Sequence, residues 1–288
     1  MQSGTGARVL TAAILIPVVI AAIWFGPTWL IAAVAAFVAV KAMMEFFSMA
    51  ARVGFQAYRV WTCLAALGIV SQQWFAARSA SIIRLGDILY NSRGPKFTLE
   101  LVLSGFILGM AIITIGSARP FAEILPSISI SAAGLVFIVL PFSAVVRLHG
   151  VDALGRDLLL FVVVLAWVGD TAAFFVGRAI GRWKMAPSLS PNKTWEGAIA
   201  NLLASLLVGA VFGRWSNVPP AHLLAMAALG SIAGQLGDLF ESSWKRSAGV
   251  KDSGKILPGH GGMLDRIDAL TLAAPAVWYY FEWVVMKR

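Results

Sequence analysis

Charge is what this sequence most lacks. Only 13% of its 288 residues are Asp, Glu, Lys or Arg, about half the share usual in soluble domains. With 59% hydrophobic residues and a mean hydropathy of +0.81, an ordinary soluble globular chain is excluded. Cysteine is nearly absent: Cys63 stands alone inside the apolar run WTCLAALGIV, so no internal disulfide can form. Of the 3 histidines, His260 has no second His or Cys nearby, which argues against a zinc site. No small-residue cleavage site follows the apolar N-terminal run, which is therefore expected to be the first helix and not a signal peptide. There is no internal repeat, no low-complexity tract and no loop long enough for a separate soluble domain. The net charge of +9 is not arranged as a basic stripe interleaved with aromatics, so nucleic acid is excluded as a partner. The surplus reads instead as Lys and Arg flanking membrane spans.

What is present is hydrocarbon-crossing length. A span needs roughly 17–25 apolar residues, and nine stretches qualify: 8–25, 28–50, 59–77, 99–116, 128–146, 157–176, 195–213, 221–240 and 269–286. The expected fold class is all-α, a polytopic integral membrane protein of about nine transmembrane helices. Residues 1–156 would supply about five N-terminal helices. Residues 157–288 would supply about four catalytic helices with loops 177–194 and 241–268. Pro17 and Pro141 predict kinks. Lys41 and Glu45 interrupt the second stretch at i,i+4 spacing and are expected to neutralise each other on one helix face. Loops 1–8, 51–58, 117–127, 177–194 and 241–268, with the adjoining Arg59, hold thirteen Lys and Arg against nine on the other side. That excess favours a cytoplasmic position for these loops. The 78–98 segment reads as an amphipathic interfacial stretch.

Three polar segments stand out from this background. Asp170 lies deep in the sixth stretch without a Lys or Arg within a helical turn. A lone carboxylate there costs about 2.5–3.5 kcal/mol, so it should face the protein interior or a wet cavity and meet a partner. Ser190, Asn192, Lys193 and Thr194 open the seventh stretch. Ser190 or Asn192 could cap the helix, and Lys193 beside a hydroxyl at a helix N-terminus suits phosphate. The third segment, Gly237–Asp268, holds five of the 14 acidic residues: Asp238, Glu241, Asp252, Asp265 and Asp268. Asp238, Ser242 and Lys245 fall at i, i+4 and i+7, and Asp265 and Asp268 at i and i+3, so each set shares a helix face. Between them lie Lys245, Arg246, Lys251, Lys255 and Arg266, and glycines around His260. Carboxylates with basic side chains suit a hard cation and phosphate.

The run Ser242-Ser243-Trp244-Lys245-Arg246, then Lys251-Asp252-Ser253-Gly254, then Leu257-Pro258-Gly259-His260-Gly261-Gly262-Met263-Leu264-Asp265-Arg266-Ile267-Asp268 resembles the signature of the phosphatidate cytidylyltransferases (CDP-diacylglycerol synthases). Ser190–Gly197 and Gln235–Ser242 resemble further segments of that family, and Trp244 departs from it where a smaller apolar residue is usual. The resemblance implies transfer of CMP from CTP to phosphatidic acid in phospholipid biosynthesis. It implies Asp238 and Asp265 as metal ligands for Mg²⁺, with Asp268 a third or supporting member and a monovalent cation as a candidate second ion. On the same ground Lys193, Lys251, His260 and Arg266 are candidates for the triphosphate, with Ser190, Asn192, Thr194 and Asp252 beside them. Lys245 or Arg246 would take the lipid phosphate, and a homodimer is compatible with all of this. A cation-coupled secondary transporter using Asp170, Asp238 and Asp265 is the alternative.

Overall fold

Inside hydrocarbon a backbone amide has no partner but another amide, so long runs of Ala, Val, Leu, Ile and Phe fold as helices. The computed structural model describes residues 5–86, 97–254 and 261–286. Among these, nine helices fall on the nine apolar stretches. They are α1 (Thr5–Phe25), α2 (Thr28–Arg52), α3 (Arg59–Gly86), α4 (Leu99–Ile115), α5 (Phe121–His149), α6 (Gly155–Ile180), α7 (Trp195–Phe212), α8 (Pro220–Ser247) and α9 (Leu264–Tyr280). Helices α2, α5, α6, α7 and α8, together with Arg59–Arg78 of α3, are long and apolar enough to cross a bilayer; Ala13–Phe25 and α4 are shorter apolar helices. The chain is an all-α polytopic integral membrane protein.

Proline shapes one helix visibly. Ahead of Pro141, α5 widens into a π turn at Leu135–Val139, which absorbs the amide hydrogen bond that the ring removes. Large apolar side chains such as Ile107, Leu108, Ile112 and Phe121 point outward, while Met43, Phe47, Ile138, Phe161, Leu165 and Met226 fill the centre. Outward-facing oil with polar groups inside is the pattern a lipid solvent selects.

The site is positioned by four helices. Helix α6 packs along α7, and α8 packs against both α7 and α9. Between α6 and α7 the expected loop contains a small antiparallel hairpin, β1 (Lys184–Ala186) with β2 (Ser190–Thr194), pairing Lys184 with Thr194 and Ala186 with Ser190. The Glu196 carboxylate closes it by accepting the Arg182 and Trp183 amides at 2.8 and 3.2 Å. The α7 cap is neither Ser190 nor Asn192: Thr194 Oγ1 accepts the Gly197 amide at 3.2 Å. A helix end capped by β-region Thr needs no further help from the hairpin.

Glu45 also departs from expectation. Its carboxylate is buried and turned away from Lys41, which stays exposed beside the Phe37 ring at 5.9 Å. Backbone amides near residue 263 bind it instead, and that geometry outcompetes a solvent-side ion pair worth a few tenths of a kcal/mol. The 87–96 part of the 78–98 segment lies outside the described residues.

Candidate active site

One cavity of about 370 Å³ opens where the hairpin, α6, α7, α8 and α9 meet. It gathers Asp170, Asn192, Lys193, Thr194, Asp238, Asp265, Arg266 and Asp268, eight of the residues singled out from sequence. A larger cavity of about 550 Å³, lined by Arg78, His149, Asp152 and Arg156 among others, sits by the α1–α2 and α5–α6 turns. The smaller cavity is the better candidate on chemistry, since the acidic group that could hold a metal adjoins it.

Close helix approach makes that group. A Cβ on Gly237 of α8 would collide with the Asp268 carbonyl of α9, so only glycine lets these backbones touch here. Asp238, the next residue, thereby comes beside Asp268, and Glu241 lies one turn on. Ligand oxygens of Asp238, Glu241 and Asp268 fall within 4.8 Å of one another. Lys193 reaches from the hairpin to Asp238 Oδ2 at 2.6 Å, and Ser242 Oγ donates to Asp238 Oδ1 at 3.5 Å. Among the described residues that line the cavity, four carboxylates (Asp170, Asp238, Asp265 and Asp268) face two cations, Lys193 and Arg266. Hard oxygen donors carrying a formal excess of two negative charges fit a divalent cation.

Asp265 is more heavily engaged. Its Oδ1 accepts Lys245 Nζ at 2.8 Å, and its Oδ2 accepts the Ser253 amide, the Ser253 hydroxyl and the Gly262 amide at 2.9, 2.9 and 2.7 Å. Lys245 also pairs with Glu241 and is only 12% exposed, so it ties α8 to α9 and does not line the cavity. Arg246 is likewise occupied, donating to the Leu189 and Val250 carbonyls at 3.0 and 3.2 Å. Ser190 is half-buried in β2, while Lys251 and Asp252 are exposed beside the cavity's lining, not in it. His260 lies outside the described residues.

Asp170 meets its partner on another helix, as its depth requires: Asn201 Nδ2 donates to Asp170 Oδ1 at 3.3 Å. Asn201 is buried and accepts the Ser231 hydroxyl at 2.7 Å, and Gln235 donates to Ser231 at 3.3 Å. Sequence reasoning missed Asn201 and Ser231, and it gave Gln235, Ser253 and Glu45 no role in the site. A signal existed for two of them, because Ser231, Gln235, Asp238 and Ser242 recur at helical spacing on one face of an apolar helix.

The profile of the Cytidylyltransferase family matches residues 6–284. The chain is 37% identical to the phosphatidate cytidylyltransferase of Brucella suis over 203 residues, covering 70% of this chain and 71% of that protein. The protein of the same name from Haemophilus influenzae is 43% identical over 139 residues, covering 46% of this chain and 48% of the relative. That from Bacillus subtilis is 37% identical over 146 residues, 50% and 54% respectively. The match thus spans about half the length of two of these relatives and about seven-tenths of the third. A family match over nearly the whole sequence places this membrane helix bundle in the cytidylyltransferase family.

Proposed function

We propose that this chain is a phosphatidate cytidylyltransferase, converting CTP and phosphatidic acid to CDP-diacylglycerol and pyrophosphate. The observation that carries the proposal is the cavity itself. It sets carboxylates, Lys193 and Arg266 together where the hairpin and the first turns of α7 and α9 meet α6 and α8, an opening in which a soluble nucleotide can meet a lipid headgroup. A transporter would place its charges within broken helices near the midplane, and the family assignment removes support for that reading.

The reaction joins two anions. An oxygen of the lipid phosphate forms a bond to the α-phosphorus of CTP, and the bond to the bridging oxygen breaks, so pyrophosphate leaves with that electron pair. The attacking oxygen is already largely ionised near neutral pH, so no general base is needed. Positioning and electrostatics supply the rate. Lys193 and Arg266 orient the triphosphate, and the N-terminus of α7, fixed by its Thr194 cap, adds a favourable dipole. Asp238 and Asp268, with Glu241 beside them, would hold a divalent cation, for which Mg²⁺ is the candidate. When bound, that cation supplies Lewis-acid neutralisation of phosphate charge. Asp265 holds Lys245, Ser253 and Gly262 beside this group. Asp170, anchored by Asn201, shapes the opposite wall.

In this proposal residues 157–288 carry the chemistry and the earlier helices support it. The cavity end of the bundle faces the cytoplasm of the inner membrane, where CTP is found. Nothing in the reaction requires a second copy of the chain. Purified protein given CTP and phosphatidic acid in mixed micelles should release CDP-diacylglycerol and pyrophosphate in equal amounts. No product at any Mg²⁺ concentration would sink the activity, and full turnover after exhaustive chelation would sink the cation.

A further inference from the structure

The buried Glu45 belongs to the part of the chain with no signature, yet it touches the loop that carries the signature. Its Oε1 accepts the Met263 amide at 2.9 Å, and its Oε2 accepts the Leu264 amide and the Ser253 hydroxyl, each at 2.9 Å. The first amides of a helix have no partner in the helix and depend on a cap. Helix α9 receives none from a side chain at its own N-cap, Met263. Glu45 provides it from α2, 218 residues away from Met263 in sequence. Ser253 stands between the two carboxylates, and its single hydroxyl proton is shared between Glu45 Oε2 and Asp265 Oδ2, each 2.9 Å away. Gly262 makes this possible: a Cβ there would run into Ser253 Oγ and Glu45 Oε2.

We propose that Glu45 is a positioning residue for the reaction, fixing the first turn of α9 and through it Asp265, Arg266 and Asp268. The inference rests on the proposed function for its catalytic half only. A carboxylate this buried, with no Lys or Arg ion pair among the described residues, is costly to keep, and an aliphatic side chain would pack more simply against its neighbours. What the carboxylate does, and a hydrocarbon cannot, is accept from two successive helix amides and a loop hydroxyl at once. The favourable end of the α9 dipole offsets part of its burial. Asp265, Arg266 and Asp268 all fall within five residues of the helix start at Leu264. Fraying or rotating that turn therefore displaces all three together.

Glu45→Gln tests this with almost no change of shape. One of the two acceptor oxygens becomes an amide nitrogen that only donates, so either Met263 N or Leu264 N must face a donor whichever way the group turns. Hydrogen exchange on the intact protein in detergent should show the amides of peptides covering 261–268 exchanging at least about fivefold faster, the equivalent of a lost helix cap. Exchange in the other helices should be unchanged. The kcat for CDP-diacylglycerol formation should fall on the order of tenfold with KM for CTP moved much less, as expected for misplaced groups. Ser253→Ala should act in the same direction, and the double variant should be little worse than Glu45→Gln alone, since both act through one network. Unchanged exchange at 261–268, faster exchange throughout the bundle, additive variants or an unaltered kcat would each overturn the proposal. If the wild-type protein makes no CDP-diacylglycerol, the proposed function fails, while the exchange result still reports on the cap.

Discussion

Gly237→Ala should separate activity from stability more sharply than any other single change. The added Cβ would lie inside the 3.0 Å limit that real Cβ atoms keep, against the Asp268 backbone carbonyl, which cannot rotate away. Ordinary contact begins at 3.4 Å, so α8 and α9 must part by on the order of 1 Å, a displacement that costs about 100-fold in rate when catalytic groups are misplaced. The stability effects partly cancel. Alanine in a helix interior gains up to about 1 kcal/mol over glycine, while overpacking costs about 1–3 kcal/mol. A net loss of about 0–2.5 kcal/mol moves the melting temperature by only several degrees in a chain of this size. Gly234→Ala is the control. It lies one turn earlier against the same helix, but its Cβ would sit 3.5 Å from the Ala269 carbonyl, an ordinary contact. Initial rates of CDP-diacylglycerol formation and thermal unfolding in detergent should show Gly237→Ala about 100-fold slow and Gly234→Ala close to wild type. A fully active Gly237→Ala, or two equally impaired variants, would refute the claim that this approach places Asp238 and Asp268.

Three further outcomes are expected. Lys193→Ala removes the cation 2.6 Å from Asp238 Oδ2 and should lower kcat/KM for CTP by about 100-fold, with Lys193→Arg intermediate; unchanged initial rates would place the triphosphate elsewhere. Asn201→Ala leaves the buried Ser231 hydroxyl without its acceptor and Asp170 without its donor, and should cost about 1–3 kcal/mol along with turnover; a variant equal to wild type in melting and rate would remove Asn201 from the site. Lys245→Met leaves Glu241 and Asp265 without their shared cation and should cost about 3–5 kcal/mol, part of it recovered in Lys245→Met/Glu241→Gln. If Lys245 held the lipid phosphate instead, KM for phosphatidic acid would rise with melting unchanged.

Helix placement was legible because hydrocarbon imposes one solution on an apolar run, and each of the nine stretches became a helix. Carboxylates were legible for the converse reason. Asp170, Asp238 and Asp268 are too costly in such a chain to lack a purpose, and the cavity collects them. Direction was the harder quantity. Spacing put Asp238, Ser242 and Lys245 on one face of α8, but it could not say that Lys245 turns to Glu241 and Asp265 while Asp238 faces Lys193. Pairing within one helix also misled. Lys41 and Glu45 have the spacing of an ion pair, and only the fold brings Met263 and Leu264 within reach of Glu45. Neutral polar residues left the faintest trace, since a single Asn or Ser in an apolar helix is common and its partner lies on another helix.

The division of charge explains why these residues are so numerous. Lys245 is shared by Glu241 and Asp265, so that buried group holds the ends of α8 and α9 together and offers no cation to a ligand. Lys193 is itself committed to Asp238, and among the described residues Arg266 is the exposed cation remaining on the cavity wall. A triphosphate approaching this chain alone would meet more carboxylate than ammonium or guanidinium, and at close range in a partly dry cavity that balance is repulsive. The same surplus, with oxygens of three acids within 4.8 Å, is what a small divalent cation requires. Under the proposed function, selection for nucleotide in complex with a cation, over nucleotide alone, would rest on the ratio of acids to bases and not on any one of them. It follows that exchanging a single carboxylate for its amide should weaken nucleotide binding at low Mg²⁺ and matter less as Mg²⁺ rises, whereas loss of Lys193 should not be repaired by added cation.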